Sequence, residues 1–242
     1  MKYLSSAFDL LTILHLPSSR KWLAGDSGRS AAWYSLVGLC IGGLVAATLA
    51  LSQMFFSNML SAAVSLAVWV LLTGGLHLDG LADCFDGIFH ASNPERRLEI
   101  MKDPRIGAFG VIGLILVLSI KFSALASLPV GRATGAILLS ASFARWCVLL
   151  TWKQPLARPN GFGADFASGL RGSSIILGGL IPLGLAIWLG GTGLVATSLG
   201  LLVTGLVLLA AKKNLGGITG DVLGMIIEAV ETMSLLVFAM RL

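Results

Sequence analysis

Seven stretches of about 18 to 21 mostly apolar residues, at 31–51, 59–77, 108–127, 133–152, 173–190, 192–211 and 222–240, constrain this chain more than any other feature. A helix needs roughly 20 such residues to cross the hydrocarbon layer. Lipid offers no partner to an open backbone group, so runs of this kind are helical. The composition agrees, with 56% hydrophobic and only 12% charged residues and a mean hydropathy of +0.89. The expected fold is therefore all-α. It is a polytopic transmembrane bundle of about seven spanning helices in a single integral membrane domain over residues 1–242, with Gly190, Gly191, Thr192 and Gly193 forming a hairpin between the fifth and sixth.

The start of the chain does not read as a signal peptide, because Asp9, the polar 17–20 stretch and the run to Arg29 interrupt any apolar core. Residues 3–16 are expected to form an amphipathic helix along the membrane interface. Lys and Arg favour the cytoplasmic side. With the N-terminus inside, 13 of the 17 basic residues fall there: Lys2, Arg20, Lys21, Arg29, Arg96, Arg97, Lys102, Arg105, Lys153, Arg158, Arg171, Lys212 and Lys213. Arg132 and Arg241 fall outside, and Lys121 and Arg145 lie within helices. An inner, cytoplasmic-type membrane is the expected location. The net charge of +5 is then mostly topological bias, so no nucleic-acid partner is expected. Membrane lipid headgroups or a phosphorylated substrate suit the basic residues better. The pattern leaves oligomeric state open, a homo-oligomer included. Cys40, Cys84 and Cys147 are widely spaced and are expected only to pack.

The 12 acidic residues carry most of the functional information. Six of them, Asp79, Asp83, Asp86, Glu95, Glu99 and Asp103, crowd into TGGLHLDGLADCFDGIFHASNPERRLEIMKDPRIGAFG. On a helix, Asp79, Asp83 and Asp86 at i, i+4 and i+7 share a face. Three like charges so placed need a positive counterpart, and a row of hard oxygens suits Mg²⁺ or Mn²⁺, which also accept phosphate oxygens. The competing reading is a solvated helix face. It fits less well, because no Lys or Arg follows at i+3 or i+4 and carboxylates at membrane level are by default functional candidates.

Downstream, Asn93 and Pro94 break the chain ahead of a short charged helix. Lys102 and Arg105 then flank Asp103 as candidate cations for a diphosphate, with Gly107 and Gly110 permitting close backbone approach. Arg96 and Arg97 are either further phosphate contacts or lipid anchors. A second acidic row stands in KKNLGGITGDVLGMIIEAVETMSLL, where Asp221 and Glu228 are seven residues apart behind a glycine-rich helix start. Asn214, just ahead of those glycines, joins the candidate substrate contacts. Glu228 could instead pair with Arg145 or Lys121 inside the bundle. His77 is a ligand or phosphate contact, or a hydrogen-bonded helix-end residue; His15 and His90 belong to no constellation. The 151–170 loop carries Arg158 and Asp165 on the same side as both acidic motifs, where it could close over a substrate.

A carboxylate row with neighbouring cations fits phosphoryl transfer, which needs positioning and charge neutralisation. No ATP-binding P-loop and no Ser-His-Asp set is present. A transferase acting on a substrate that already holds a diphosphate bond remains. The run TGGLHLDGLADCFDG, followed by ERRLEIMKDPRIGAFG and GGITGDVLG, closely resembles the cobalamin synthase family, adenosylcobinamide-GDP ribazoletransferase. The likeness extends from LLTILHLP to Glu231, although Ile13 follows Thr12 where that family often has Arg. It implies a Mg²⁺-dependent enzyme that joins adenosylcobinamide-GDP to α-ribazole, or its 5′-phosphate, and releases GMP. A looser likeness links the acidic motif to CDP-alcohol phosphotransferases.

Combining these readings, Asp79, Asp83 and Asp86 are expected to hold Mg²⁺, and Lys102 and Arg105 to neutralise the diphosphate. Asp86 or Asp103 takes the acceptor's proton, while His77, Arg96, Asn214, Asp221 and Glu228 contact substrate or complete the metal site. An ion-coupled transporter is the rival from another class. The acids gather near one face, and no paired repeat is visible.

Overall fold

The computed structural model describes residues 2–15 and 22–240, so Arg20, Lys21 and Arg241 of the charge argument lie outside the described residues. Among those residues it contains twelve α-helices and no strand. A short helix, α1 (Lys2–Leu11), and a single turn, α2 (Asp26–Arg29), precede α3 (Tyr34–Ser52) and α4 (Asn58–Leu72). Next come α5 (Leu76–Phe89), α6 (Pro94–Ile100), α7 (Ala108–Ser127) and α8 (Val130–Cys147). The chain ends with α9 (Phe162–Gly169), α10 (Gly172–Trp188), α11 (Gly190–Leu215) and α12 (Gly220–Ala239).

Five helices are long and apolar enough to cross a membrane, and two bent pairs, α4 with α5 and α9 with α10, bring the number to seven if each pair is one span. The protein is therefore a multi-pass membrane protein, as its hydropathy requires. Two expected boundaries move. The 59–77 segment stops at Leu72, where Gly74 and Gly75 adopt left-handed backbone (φ 61° and 71°) and α5 leaves at 88° to α4. α9 meets α10 at 94° in the same way. The N-terminal helix is also shorter than 3–16, because the Thr12 hydroxyl bonds the Phe8 carbonyl and the chain turns away. Its Ala7 and Leu11 are buried against the bundle.

α8 and α12 form the centre, with 78% and 72% of their spanning windows buried, against 33% for α7 and 28% for α11 on the lipid side. Small residues explain the centre. A Cβ at Gly38 of α3 would stand 2.3 Å from the Ala141 carbonyl of α8, so these helices touch backbone to backbone. The outward Leu, Ile and Val side chains of α10 and α11 are exposed, as lipid-facing residues must be.

Candidate active site

The polar segments meet at one end of the bundle, and glycines set how closely. α5 and α12 cross at Gly80 and Gly224. A Cβ at Gly80 would lie 2.9 Å from the Asp221 carbonyl oxygen, and one at Gly224 would lie 3.0 Å from that of His77. This crossing sets Asp79 and Asp83 of α5 beside Asp221 in the first turn of α12. Asp83 is within electrostatic reach of Asp221, Asp79, Asp86 and Arg158. Asp79 and Asp83 make no side-chain hydrogen bond or ion pair with any described residue. Among the described residues, Asp221 accepts only the Thr219 hydroxyl, at 3.1 Å, while Thr219 caps α12 by accepting from the Val222 amide.

Arg158 is the cation at this cluster. The Ala157 amide donates to the Ile218 carbonyl (3.1 Å) and the Ile218 amide to that of Pro155 (2.8 Å), clipping the 152–161 loop to the start of α12. Gly217 makes this possible, since a Cβ there would stand 2.4 Å from the Pro155 oxygen. Arg158 donates to the Leu98 carbonyl (2.7 Å), and its Nε is buried without a partner. It shares a cavity of about 90 Å³ with Asp221 and the Gly161–Gly163 turn. The sequence puts Arg158 on the 151–170 loop without marking it as a site residue. The Arg-Pro-Asn-Gly-Phe-Gly run was the available signal.

Asp86 does not face this cluster. Its carboxylate accepts the amides of Gly107 (2.8 Å) and Gly110 (2.9 Å), so it caps the start of α7, and both glycines are needed because a Cβ at either would strike its oxygens. The expected row of three is therefore split. Asp86 has its charge met by the helix start.

Lys102, Asp103 and Arg105 stand apart as well. Arg105 holds Asp103 through two side-chain bonds (2.9 and 2.7 Å) and its own backbone amide (3.0 Å). These bonds hold the Asp103 carboxyl down at about 2, too acidic to take a proton near neutrality. With Asp86, His90, Arg96 and Phe109, Asp103 and Arg105 line a separate open groove of about 580 Å³. Arg96 is paired with Glu99 at 2.9 Å on the surface, and Lys102 is exposed. Asn214 accepts from Arg97 and donates to the Ala210 carbonyl, tying α6 to α11.

Glu228 belongs to the interior. Lys121 lies 2.5 Å from both Glu228 and Glu231, Arg145 pairs with Glu231, and the Lys121 ammonium stands 5.2 Å from the Trp69 ring centroid. Two cations and two carboxylates thus balance inside α7, α8 and α12. The ion-pair alternative for Glu228 is the one the structure contains.

His77 is 3% exposed, and its Nε2 is buried with no hydrogen-bond partner. It lines a cavity of about 160 Å³, rimmed by Asp79 and Asp221 and walled by Tyr34, Phe162 and Phe166. The three cysteines are free, with Cys84 and Cys147 buried in packing.

Among the described residues, no group of three or more His, Cys, Asp or Glu side chains is gathered tightly enough to hold a metal ion unaided. The donor chemistry still fits Mg²⁺, which binds through one or two carboxylates, retained waters and substrate phosphates rather than an all-protein cage. Asp79, Asp83 and Asp221, hard oxygen donors with little or no protein partner, are the residues that would hold it.

The chain matches the family model described as cobalamin-5-phosphate synthase over residues 3–239. It is 37% identical to a Desulfitobacterium hafniense protein over 98% of this chain and 96% of that one. It is 40% identical to a Stutzerimonas stutzeri protein over 89% of each, and 38% identical to one from Pseudomonas aeruginosa over 99% and 98%. All three relatives are named adenosylcobinamide-GDP ribazoletransferase. No solved structure matches. On a match that runs almost from end to end, this chain belongs to the cobalamin-5-phosphate synthase family.

Proposed function

We propose that the protein is an adenosylcobinamide-GDP ribazoletransferase, a transferase of cobalamin synthesis that joins adenosylcobinamide-GDP to α-ribazole or its 5′-phosphate and releases GMP. The observation that carries this reading is the backbone-to-backbone crossing of α5 and α12, which faces Asp79 and Asp83 toward Asp221 with Arg158 alongside. Bound Mg²⁺ would neutralise the diphosphate and polarise the phosphorus under attack. Asp79, Asp83 and Asp221 would hold that ion, and Arg158 compensates the remaining phosphate oxygens. A ribose hydroxyl oxygen of the acceptor, one that stays free in the 5′-phosphate as well, bonds to the phosphorus nearest cobinamide while the bond from that phosphorus to the bridging oxygen breaks, and GMP leaves with that oxygen. The hydroxyl proton leaves to water at the open rim, where Asp79 is exposed.

The site opens at the end of the bundle that gathers Arg97, Arg158, Lys212 and Lys213, and basic residues favour the cytoplasm. The active site is accordingly cytoplasmic, at an inner membrane, with lipid covering α10 and α11. The test is GMP release by the purified, detergent-solubilised protein given both substrates, with and without Mg²⁺. Mg²⁺-dependent release matched by cobalamin formation is expected; no release by folded protein in a supporting lipid would refute the reading.

A further inference from the structure

The 160 Å³ cavity under the carboxylates is not used by phosphoryl transfer itself. Its walls are Leu10 and Leu11 of α1, Tyr34 of α3, Phe162 and Phe166 of α9, and Ile227 of α12. One buried polar atom in this lining is without a partner, Nε2 of His77, since the Tyr34 hydroxyl already donates to the Ser27 carbonyl at 2.8 Å. Asp79 and Asp221 stand at the rim. An apolar chamber of this size is about what a small aromatic ring system fills: an engineered void of about 150 Å³ takes up benzene. Leaving Nε2 buried and unpaired is unfavourable, and a single hydrogen bond from a guest removes that cost.

We propose that this cavity seats the heteroaromatic base of the acceptor nucleoside, with His77 Nε2 bonded to the one ring nitrogen that carries no sugar. The assignment rests on the transferase reading and deepens it. Size excludes the corrinoid. Guanine is disfavoured because its edge presents several donors and acceptors, and the buried part of the lining, below the rim carboxylates, offers a single unpaired polar atom and would strand the rest. A benzimidazole-type base has an apolar outline and a single free nitrogen, matching both features. With the base inside, the sugar and its free hydroxyls emerge at the rim beside Asp79 and Asp221, where the donor phosphorus must lie. His77 is on this account a positioning residue for the acceptor, and it touches no phosphate.

The test measures KM for each substrate separately, by GMP release, in the wild type and in Ile227→Phe, Phe162→Ala and His77→Gln. Direct binding of α-ribazole is followed by the fluorescence anisotropy of its base. Filling the cavity with Ile227→Phe is expected to raise the acceptor KM at least about tenfold, the discrimination typical of one misfitted methylene in an apolar pocket. KM for adenosylcobinamide-GDP should stay within about twofold, and preference should shift toward a one-ring imidazole riboside. Phe162→Ala, at a partly exposed wall position, tests the same point if Ile227→Phe does not fold. His77→Gln, which keeps a hydrogen-bonding group, should lose less than His77→Phe. Unchanged acceptor KM and anisotropy in the folded variants, as expected if a lipid tail fills the cavity, would overturn this assignment alone. Absence of GMP release by the wild type would overturn the transferase reading and this assignment with it.

Discussion

Replacing Gly80 by alanine tests whether the α5–α12 crossing positions the carboxylates. The new Cβ would meet the Asp221 carbonyl oxygen at 2.9 Å and its Cα at 3.0 Å, both backbone atoms with no rotamer in which to escape. Ordinary contact begins at 3.4 Å, so the helices must part by about 0.5 Å at that point (3.4 − 2.9). Overpacking of this kind costs about 1–3 kcal/mol. Alanine recovers about 1 kcal/mol of helix propensity over glycine, so the net loss of stability should be about 0–2 kcal/mol. Activity should suffer far more, because the shift falls between the groups that must converge on one phosphorus, and a misplacement of about 1 Å costs on the order of 100-fold in rate. Gly80→Ala should therefore lower kcat for GMP release by roughly 10- to 100-fold while the detergent-solubilised protein melts within a few degrees of wild type. Gly43→Ala and Gly205→Ala, where nothing lies within 4 Å, should leave both unchanged. Wild-type kcat in a folded Gly80→Ala protein would refute the claim that this crossing sets the site.

Asp83 and Asp86, three residues apart, should separate cleanly. Asp83→Asn should abolish turnover with little change in melting temperature, whereas Asp86→Ala strips two amide bonds from the start of α7 and should cost about 3 kcal/mol or more of stability, read by thermal unfolding. Lys121→Met leaves Glu228 and Glu231 sharing the one cation Arg145, and should destabilise the bundle by about 3–5 kcal/mol in a denaturation series. Asp103 is lowered in the folded state, so its pairing with Arg105 contributes above the ordinary carboxyl value of 3.8 and fades only as pH falls toward about 2. Asp103→Asn should consequently leave the pH–rate profile between pH 5 and 9 unmoved, on the order-of-magnitude view that a base must titrate near working pH; a lost limb would restore it as the base.

Hydropathy made the helical membrane fold legible, because the requirement for about 20 apolar residues per span acts on each segment separately. What it could not show is where an apolar run bends. The 59–77 run looks continuous by composition, yet Gly74 and Gly75 turn it through 88°. The site was legible only in part for the same reason. Spacing grouped Asp79, Asp83 and Asp86, but which of three neighbouring carboxylates faces α12 and which faces α7 depends on the packing of α5 between them. Gly107 and Gly110 were noticed as places for close approach; what approaches is Asp86. Glu228 could be read as site or as ion pair, and only the placement of α7 against α12 brings Lys121 to it. Arg158 depends on a loop clipped to Ile218 through backbone bonds, which leave almost no side-chain signature.

The bend between α4 and α5 also determines how acidic side chains can sit on a membrane protein at tolerable cost. α4 has 15 residues, about 22 Å at 1.5 Å per residue, short of the roughly 30 Å hydrocarbon layer. A straight continuation through α5 would draw Asp79 and Asp83 into lipid, whereas a right-angle turn lays α5 across the end of the bundle, where Asp79 is exposed. Water access, and its side, can be read with Asp79→Cys in a background where the exposed Cys40 is Ser, since a thiol reacts with maleimide only as the thiolate, which needs an aqueous surface. A membrane-impermeant maleimide should label this cysteine rapidly in inside-out vesicles and slowly in right-side-out ones. Label from the outer side alone would reverse the orientation argued from the basic residues. Failure to label from either side would place α5 within the hydrocarbon and leave its unpaired carboxylates without the solvent that this geometry provides.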